Sequence, residues 1–330
     1  TDTFLNFTRD QVGFEDVNAY YHIYAMSQYL KKGGFTDQLD SIRIDAHGSL
    51  GDDNSAFNPG RYPYEIEYGT GGVDDGEDGQ VVVHEFGHSL SYLASPGTSF
   101  GNERNSMEEG QADYIGMSYS NSISRFKGYD VFSWDGHNDI WDGFNAKTKL
   151  QYKDLSGFKD VDRNLWSTAL MCVYDKLGRT KTDSLILSYY FLQAGETTMP
   201  QMASVILKMD TVLFNGRHVA AIWQCFTDRG FLDTVPWYLT KITPLSLPQH
   251  ISVQNSSGFS LGISSMDILV KYPNLWQGYE IINQMGQTVL SSAVESKITL
   301  NPSTFVNGIY YLRITAKDGQ TVFNYKLIRY

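Results

Sequence analysis

The chain has 330 residues, 37 acidic against 26 basic side chains, a net charge of −11, 42% hydrophobic residues and two cysteines. That length accommodates one or two globular domains with a sizeable core. The composition excludes wholesale disorder, a collagen-like chain and a disulfide scaffold. An acidic chain without a basic run makes a poor partner for nucleic acid, and no stretch approaches the roughly 18 apolar residues of a membrane-spanning segment.

The sequence opens at Thr1-Asp2-Thr3-Phe4 with no initiator Met and no apolar leader. Either a preceding segment has been removed or the chain starts within a longer one. From Tyr20 to about Gly230 the text is helix-rich. Helical patterns over Tyr20–Leu30, Leu165–Leu177 and Val219–Asp228 are each followed by glycine, at Gly33-Gly34, Gly178 and Gly230, where a helix C-terminus favours a left-handed residue. Between them Ile42–Ala46 and Tyr64–Tyr68 alternate at period two and predict strands of a small N-terminal sheet. Cys172 and Cys225 lie among apolar neighbours, and both buried thiols and a single disulfide fit them.

His84-Glu85-Phe86-Gly87-His88, flanked by Val81–Val83 and Leu90–Leu93, reads as a buried helix. On a helix His84 and His88 are i and i+4, so both imidazoles leave one face and can reach a single Zn²⁺ at roughly 2.0–2.1 Å. Glu85 is placed to take a proton from water at that ion. A catalytic zinc needs a third protein ligand and an open position. Downstream, Glu109 and Asp113 are again i and i+4 on a second helix, where small Ala112 and Gly116 permit close approach. Glu109 is the favoured ligand, with Asp113 accepting the other ring N–H of a ligand histidine. Glu108 is the rival. If Glu108 were the ligand, Asp113 would lie five residues on and leave its face.

Asp74, Asp75, Glu77 and Asp78 crowd four carboxylates onto a Gly-rich turn before the first of these helices. Oxygen ligands suit Ca²⁺, while a solvated acidic turn at a helix N-terminus needs no ion. His22, His47, His137, His218 and His250 stand alone and receive no role.

Around Thr243–Pro248 two prolines within five residues mark a linker, here 243–249. Beyond it, short alternating runs at 251–253, 266–270, 279–282, 288–290, 298–300, 309–314 and 321–327 predict an all-β sandwich over 250–330. That stretch holds six Lys/Arg and four Asp/Glu, net +2, which leaves −13 on residues 1–249.

The HEFGH helix, Asp53-Asn54-Ser55, Gly71–Asp78, Glu109-Gly110-x-x-Asp113, Trp166-Ser167-x-x-Leu170 and Asp228–Phe231 occur in an order and spacing that resembles the fungalysin-like metallopeptidases, members of the gluzincin group that includes thermolysin. The resemblance spans about residues 3–235. It implies an α+β zincin catalytic domain over 1–242, zinc held by His84, His88 and Glu109, Glu85 as base, Asp113 behind the ligands, and Asn54 on a strand edge bonding the substrate backbone. One feature of that group is missing: a histidine expected just before Trp166 to stabilise the oxyanion. Lys159–Asn164 contains none, and Arg163 or a tyrosine is the available substitute. Tyr279–Gln287, Gly308–Arg313 and Lys326–Tyr330, in that order to the chain end, look like a type 9 secretion C-terminal sorting domain. That resemblance implies export from a Gram-negative bacterium, with the secretion machinery as partner and removal of the domain afterwards left open.

These readings combine into a secreted zinc endopeptidase acting on protein or peptide substrates. The alternative is a surface-displayed, peptidase-like binding protein or adhesin with weak or no turnover, which the missing histidine favours.

Overall fold

The computed structural model describes residues 6–36, 39–49, 51–232, 251–253, 260–261, 266–270, 276–283, 287–295, 297–306, 308–317 and 322–329. The chain divides into two compact units. One holds the described residues to 207 with 218–232; the other holds 208–217 with those from 251 onward. Mixed helix and sheet make the first unit α+β. The linker expected at 243–249 lies outside the described residues.

The first unit begins with α1 (Gly13–Gly33), closed by Gly34 at φ 82°. A three-stranded sheet follows, built of β1 (Ile42–Ser49), β2 (Ala56–Asn58) and β3 (Tyr64–Gly69). β3 is central, parallel to β1 and antiparallel to β2, so β2 is an edge. A single 3₁₀ turn at Asp75–Glu77 leads into α2 (Gly79–Ala94), and α3 (Asn102–Asn121) follows. After two-residue strands β4 (Asp130–Val131) and β5 (Phe144–Asn145) come α4 (Lys159–Leu177), α5 (Arg179–Tyr189), α6 (Met199–Phe214), whose residues from Lys208 belong to the second unit, and α7 (Val219–Thr227).

α2 contains the β-branched run Val81–Val83, which lowers intrinsic helix propensity. Burial overrides it: every residue from Gln80 to Ser91 except His88 is buried. Such a helix needs neighbours on all sides, and α3 lies between α2 and α4. Glycines let these backbones close up. A Cβ on Gly110 would stand 2.6 Å from the Arg163 carbonyl oxygen of α4, and one on Gly116 would stand 2.9 Å from the Gln80 carbonyl oxygen of α2. A disulfide joins Cys172 of α4 to Cys225 of α7, with 5.7 Å between Cα atoms, and closes the alternative that the sequence leaves open. Beside it Trp166 stacks on Phe226 at 5.9 Å.

The second unit carries two sheets. β7 (Ser260–Leu261), β9 (Trp276–Asn283), β10 (Thr288–Ser292), β12 (Gly308–Ala316) and β13 (Val322–Arg329) form one in the order β10-β9-β12-β13-β7. β6 (Ile251–Val253), β8 (Met266–Val270) and β11 (Lys297–Leu300) form the other in the order β11-β8-β6. Tyr310, Leu312 and Ile314 are buried while Arg313 is exposed, and Ile298 and Leu300 are buried between exposed neighbours. Period-two burial of this kind gives each sheet one covered face.

Candidate metal centre

α2 starts where Asp78 caps it, accepting from Gln80 N at 2.7 Å. The second oxygen of Asp78 accepts from the backbone N–H groups of Trp134 and Asp135, both at 3.0 Å. Gln80 Oε1 accepts from Phe132 N at 2.7 Å. The helix start is thereby tied to the 132–141 loop, which forms part of a cleft of about 860 Å³. His84, Glu85, His88, Glu108 and Glu109 line this cleft, with Asn54, Phe132, Trp141, Phe144 and Arg163 around them.

One turn of α2 separates His84 from His88, and their Nε2 atoms meet at 3.1 Å. Glu109 Oε2 lies 3.5 Å from His84 Nε2 and 3.7 Å from His88 Nε2. A triangle with these edges has a point about 2.0 Å from every corner, the length of a zinc–nitrogen or zinc–oxygen bond. Two imidazole nitrogens and a carboxylate oxygen are also the donor chemistry that zinc takes, so the residues present fit that ion. Glu85 Oε1 stands beside the set, 3.8 Å from His84 Nε2.

Glu109, not Glu108, faces both Nε2 atoms. Glu108 lies on the far side of His88, its Oε1 3.2 Å from Nδ1. The other oxygen of Glu108 accepts from Ser91 Oγ and Gln111 Nε2, each at 2.9 Å, and from fully buried Arg104 at 2.5 Å. Asp113 serves His84 in the same way, with Oδ1 3.1 Å from His84 Nδ1 as an ion-pair contact. Each ring thus has one nitrogen toward the common point and one toward a carboxylate, the arrangement that fixes tautomer and ring orientation. The role of Glu108 and its Arg104 support is not apparent from the i, i+4 pairing of Glu109 with Asp113. The one signal for it is the Arg104-x-x-x-Glu108 spacing.

Arg163, 5% exposed, grips Asp113: Nε donates to Oδ2 at 2.9 Å and NH2 donates to Oδ1. Its NH1 is 3.3 Å from Glu109 Oε2, and the guanidinium lies 4.2 Å above Phe144. Lys159 Nζ donates to Glu109 Oε1 at 2.6 Å. Arg163 is therefore already committed to two carboxylates where the sequence offered it as a substitute oxyanion donor. These counter-charges have consequences for titration. Burial alone would raise Glu109, but His84, His88 and Arg163 hold it far below the usual carboxylate range. Burial likewise opposes the charged form of His88, and Glu108 and Glu109 outweigh it and raise the group well above its ordinary value.

Asn54 lines the cleft but lies in the loop before edge strand β2 rather than on a strand. Continuing the β2–β3 register would set it opposite Gly69. The backbones converge there: a Cβ on Gly69 would lie 2.8 Å from the Asn54 carbonyl oxygen and 2.3 Å from that of Asp52. Glycine at 69 is what allows this approach, and the approach is too close for the regular ladder to continue.

The four acidic residues of the 74–78 turn do not converge. Glu77 takes the exposed Arg9 guanidinium at 2.8 Å, and Asp78 is the helix cap. Asp75 instead turns inward, accepting from Ser55 Oγ and, at 3.4 Å, from Gly69 N. There it meets Asp53 and Asp135, with one oxygen of each of the three within 4.8 Å of the others.

Residues 264–328 match the secretion system C-terminal sorting domain family. This segment marks the chain for export through the type 9 secretion system. No helix among the described residues is long and apolar enough to cross a membrane. The extracellular metalloproteinase MEP of Fusarium vanettenii is 24% identical over 293 residues, covering 69% of this chain and 46% of that protein. The chain thus spans less than half the length of that distant relative.

Proposed function

We propose that the first unit is a zinc-dependent endopeptidase domain of the thermolysin/fungalysin-like zincin type, with the second unit as its sorting domain. The observation that carries this reading is the convergence of His84 Nε2, His88 Nε2 and Glu109 Oε2 on one point beside Glu85, in a cleft of about 860 Å³. Bound there, zinc would polarise a peptide carbonyl and acidify a water molecule.

The protein's own residues do the rest. Glu85 takes the proton of the attacking water and hands it to the departing amine. Asp113 and Glu108 keep the imidazoles aimed, and Arg163 and Lys159 hold the negative charge of Asp113 and Glu109 in place. Asn54, which also lines the cleft, offers a side-chain amide to the substrate backbone. Phe132, Trp141 and Phe144 form an aromatic wall that favours apolar side chains of a substrate.

A second reading is a peptidase-like binding protein or adhesin without useful turnover. It draws on the absent histidine before Trp166 and on the engagement of Arg163 by Asp113, which leaves the oxyanion with fewer free donors. Losing one such donor lowers kcat by about 10²–10³.

The deciding experiment measures zinc by mass spectrometry and casein hydrolysis in the same samples of the parent, Glu109→Ala and Glu85→Gln. The expected result is one zinc per chain in the parent and in Glu85→Gln, with sharp loss in Glu109→Ala. Hydrolysis is expected to fall by about 10²–10⁴ in Glu85→Gln. Unchanged hydrolysis in zinc-loaded Glu85→Gln removes the base from the mechanism. A zinc-loaded parent that cleaves no protein selects the binding reading.

A further inference from the structure

The three carboxylates of Asp53, Asp75 and Asp135 come from three separate segments: the loop before β2, the 3₁₀ turn before α2, and the loop between β4 and β5. Asp75 and Asp135 are buried, 3% and 4% exposed. One oxygen of Asp75 is served by Ser55 and Gly69. Asp135 Oδ1 is fully buried and makes no well-formed hydrogen bond among the described residues, the Trp141 indole being the one donor that acts on this carboxylate. No Lys or Arg forms an ion pair with any of the three among those residues.

A buried carboxylate oxygen without a well-formed hydrogen bond or counter-charge is strongly disfavoured unless something else supplies the positive charge. The backbone is also shaped to hold the cluster. Gly72, at φ 67°, leaves the space in which the Asp53 carboxylate lies, since a Cβ there would stand 2.5 Å from Asp53 Oδ1. Glycines 69 and 71 let the 51–55 loop fold down onto the same corner.

We infer that Asp53, Asp75 and Asp135 form a binding site for a hard divalent cation, Ca²⁺ by its preference for several carboxylate ligands, which ties the three segments together at the edge of the cleft. Oxygens within 4.8 Å of one another fit ligands held roughly 2.3–2.6 Å from a common Ca²⁺. Mg²⁺ usually keeps several waters and takes only one or two carboxylates, so a set of three suits it less well. All three residues line the cleft alongside His84 and Glu85, so an ion there orders the loop that carries Asn54 and the loop that carries Phe132 and Trp141. The competing account is a proton shared between Asp75 and Asp135 with no ion. Burial pushes Asp75 up to about 7, and burial with the neighbouring Asp75 and Asp53 charges does the same to Asp135.

This site does not depend on the zinc reading, since its residues and loops are separate from His84, His88 and Glu109. The test uses the full chain as isolated and Tb³⁺, which takes Ca²⁺ sites and emits when a nearby indole absorbs. Trp141, which acts on Asp135, is the antenna. The expected result is saturable emission displaced by Ca²⁺, lost in Trp141→Phe, and an affinity at least about tenfold weaker in Asp135→Asn and in Asp53→Asn. Asp53 is exposed, so its variant reports even if the buried Asp135 substitution fails to fold. Ca²⁺ should also raise the melting temperature of the parent and not that of Asp53→Asn. Absence of both emission and a Ca²⁺-dependent melting shift in the parent overturns the site in favour of the shared proton. Emission that survives both aspartate variants places the lanthanide elsewhere and also overturns it. Failure of the zinc reading appears in the zinc content of Glu109→Ala and leaves these signals untouched.

Discussion

Two groups of ionisable side chains share the cleft and receive opposite treatment. Around His84 and His88 the carboxylates of Glu109, Asp113 and Glu108 each have a partner charge: Arg163 and Lys159 for Glu109, Arg163 for Asp113, Arg104 for Glu108. Around Asp75 the three carboxylates face one another. The first arrangement drives Glu109 far down the pH scale, and the second lifts Asp75 and Asp135 to about 7, although burial acts in the same direction on all of them. Burial of charge is therefore not itself the discriminating feature. What differs is whether the chain supplies the opposite charge, and a cluster for which it does not is a cluster waiting on a cation.

The largest test of this contrast removes a counter-charge from the compensated group. Arg163 and Asp113 are both buried, and deleting one side of such a pair leaves an uncompensated charge, at about 3–5 kcal/mol. Arg163→Met should lose that much in urea unfolding, and zinc affinity should fall about 10–100-fold in a competition assay because Asp113 no longer holds its position behind His84. Arg163→Met combined with Asp113→Asn should recover part of the stability but not the zinc affinity. A single variant as stable as the parent would mean that Arg163 is not compensating charge.

The converse change, in the uncompensated group, should have the opposite sign. With divalent cations chelated, Asp135→Asn removes a buried charge that has no counter-charge among the described residues. It should stabilise the chain by roughly 1 kcal/mol in the same urea assay. Adding Ca²⁺ should reverse the ranking, because only the parent gains. A variant that is less stable than the parent under chelation would show that the Asp135 carboxylate is already satisfied, and the two groups would no longer differ.

How much of this could be read beforehand follows from range. Spacing within one helix is local, so His84/His88 and Glu109/Asp113 were legible, as were the period-two strands at 42–46 and 64–68 and the glycine stops at Gly34, Gly178 and Gly230. The alternating runs of the second unit were legible for the same reason. Its five- and three-stranded order was not, because pairing such as β12 between β9 and β13 is set by packing rather than by any one strand. Asp53 and Asp135 are 82 positions apart and share no pattern. They meet because Gly69, Gly71 and Gly72 let one loop descend while Asp78 holds the other through the Trp134 and Asp135 amides. Of the four acidic residues of the 74–78 turn, only Asp75 joins the cluster. The positive charge of Arg163 is legible in the sequence, whereas its commitment to Asp113, 50 positions away, depends on the α3–α4 contact.

A third, half-buried group extends the contrast to its mildest case, an ionisable side chain with a neutral partner. His22 packs its ring against Gly79 at the start of α2, with Nδ1 2.8 Å from the Tyr119 hydroxyl and the Tyr21 ring at 5.2 Å. Burial lowers its pKa, and the Asp78 carboxylate only partly opposes this. The folded chain then takes up a proton at His22 less readily than the unfolded chain does. Below the unfolded histidine value of about 6.5 the unfolded state binds more protons, so stability is complete above that pH and declines as pH falls beneath it. His22→Gln can still meet Tyr119 but cannot titrate. The difference in unfolding free energy between parent and variant should be flat from pH 7 to 9 and should shift in favour of the variant by less than about 1 kcal/mol at pH 5. Working from the difference cancels the histidines common to both chains, including His84 and His88. A difference that stays flat down to pH 5 would mean that Asp78 compensates His22 as fully as Arg163 compensates Asp113, and burial without a contacting counter-charge would then carry no acid penalty at this position.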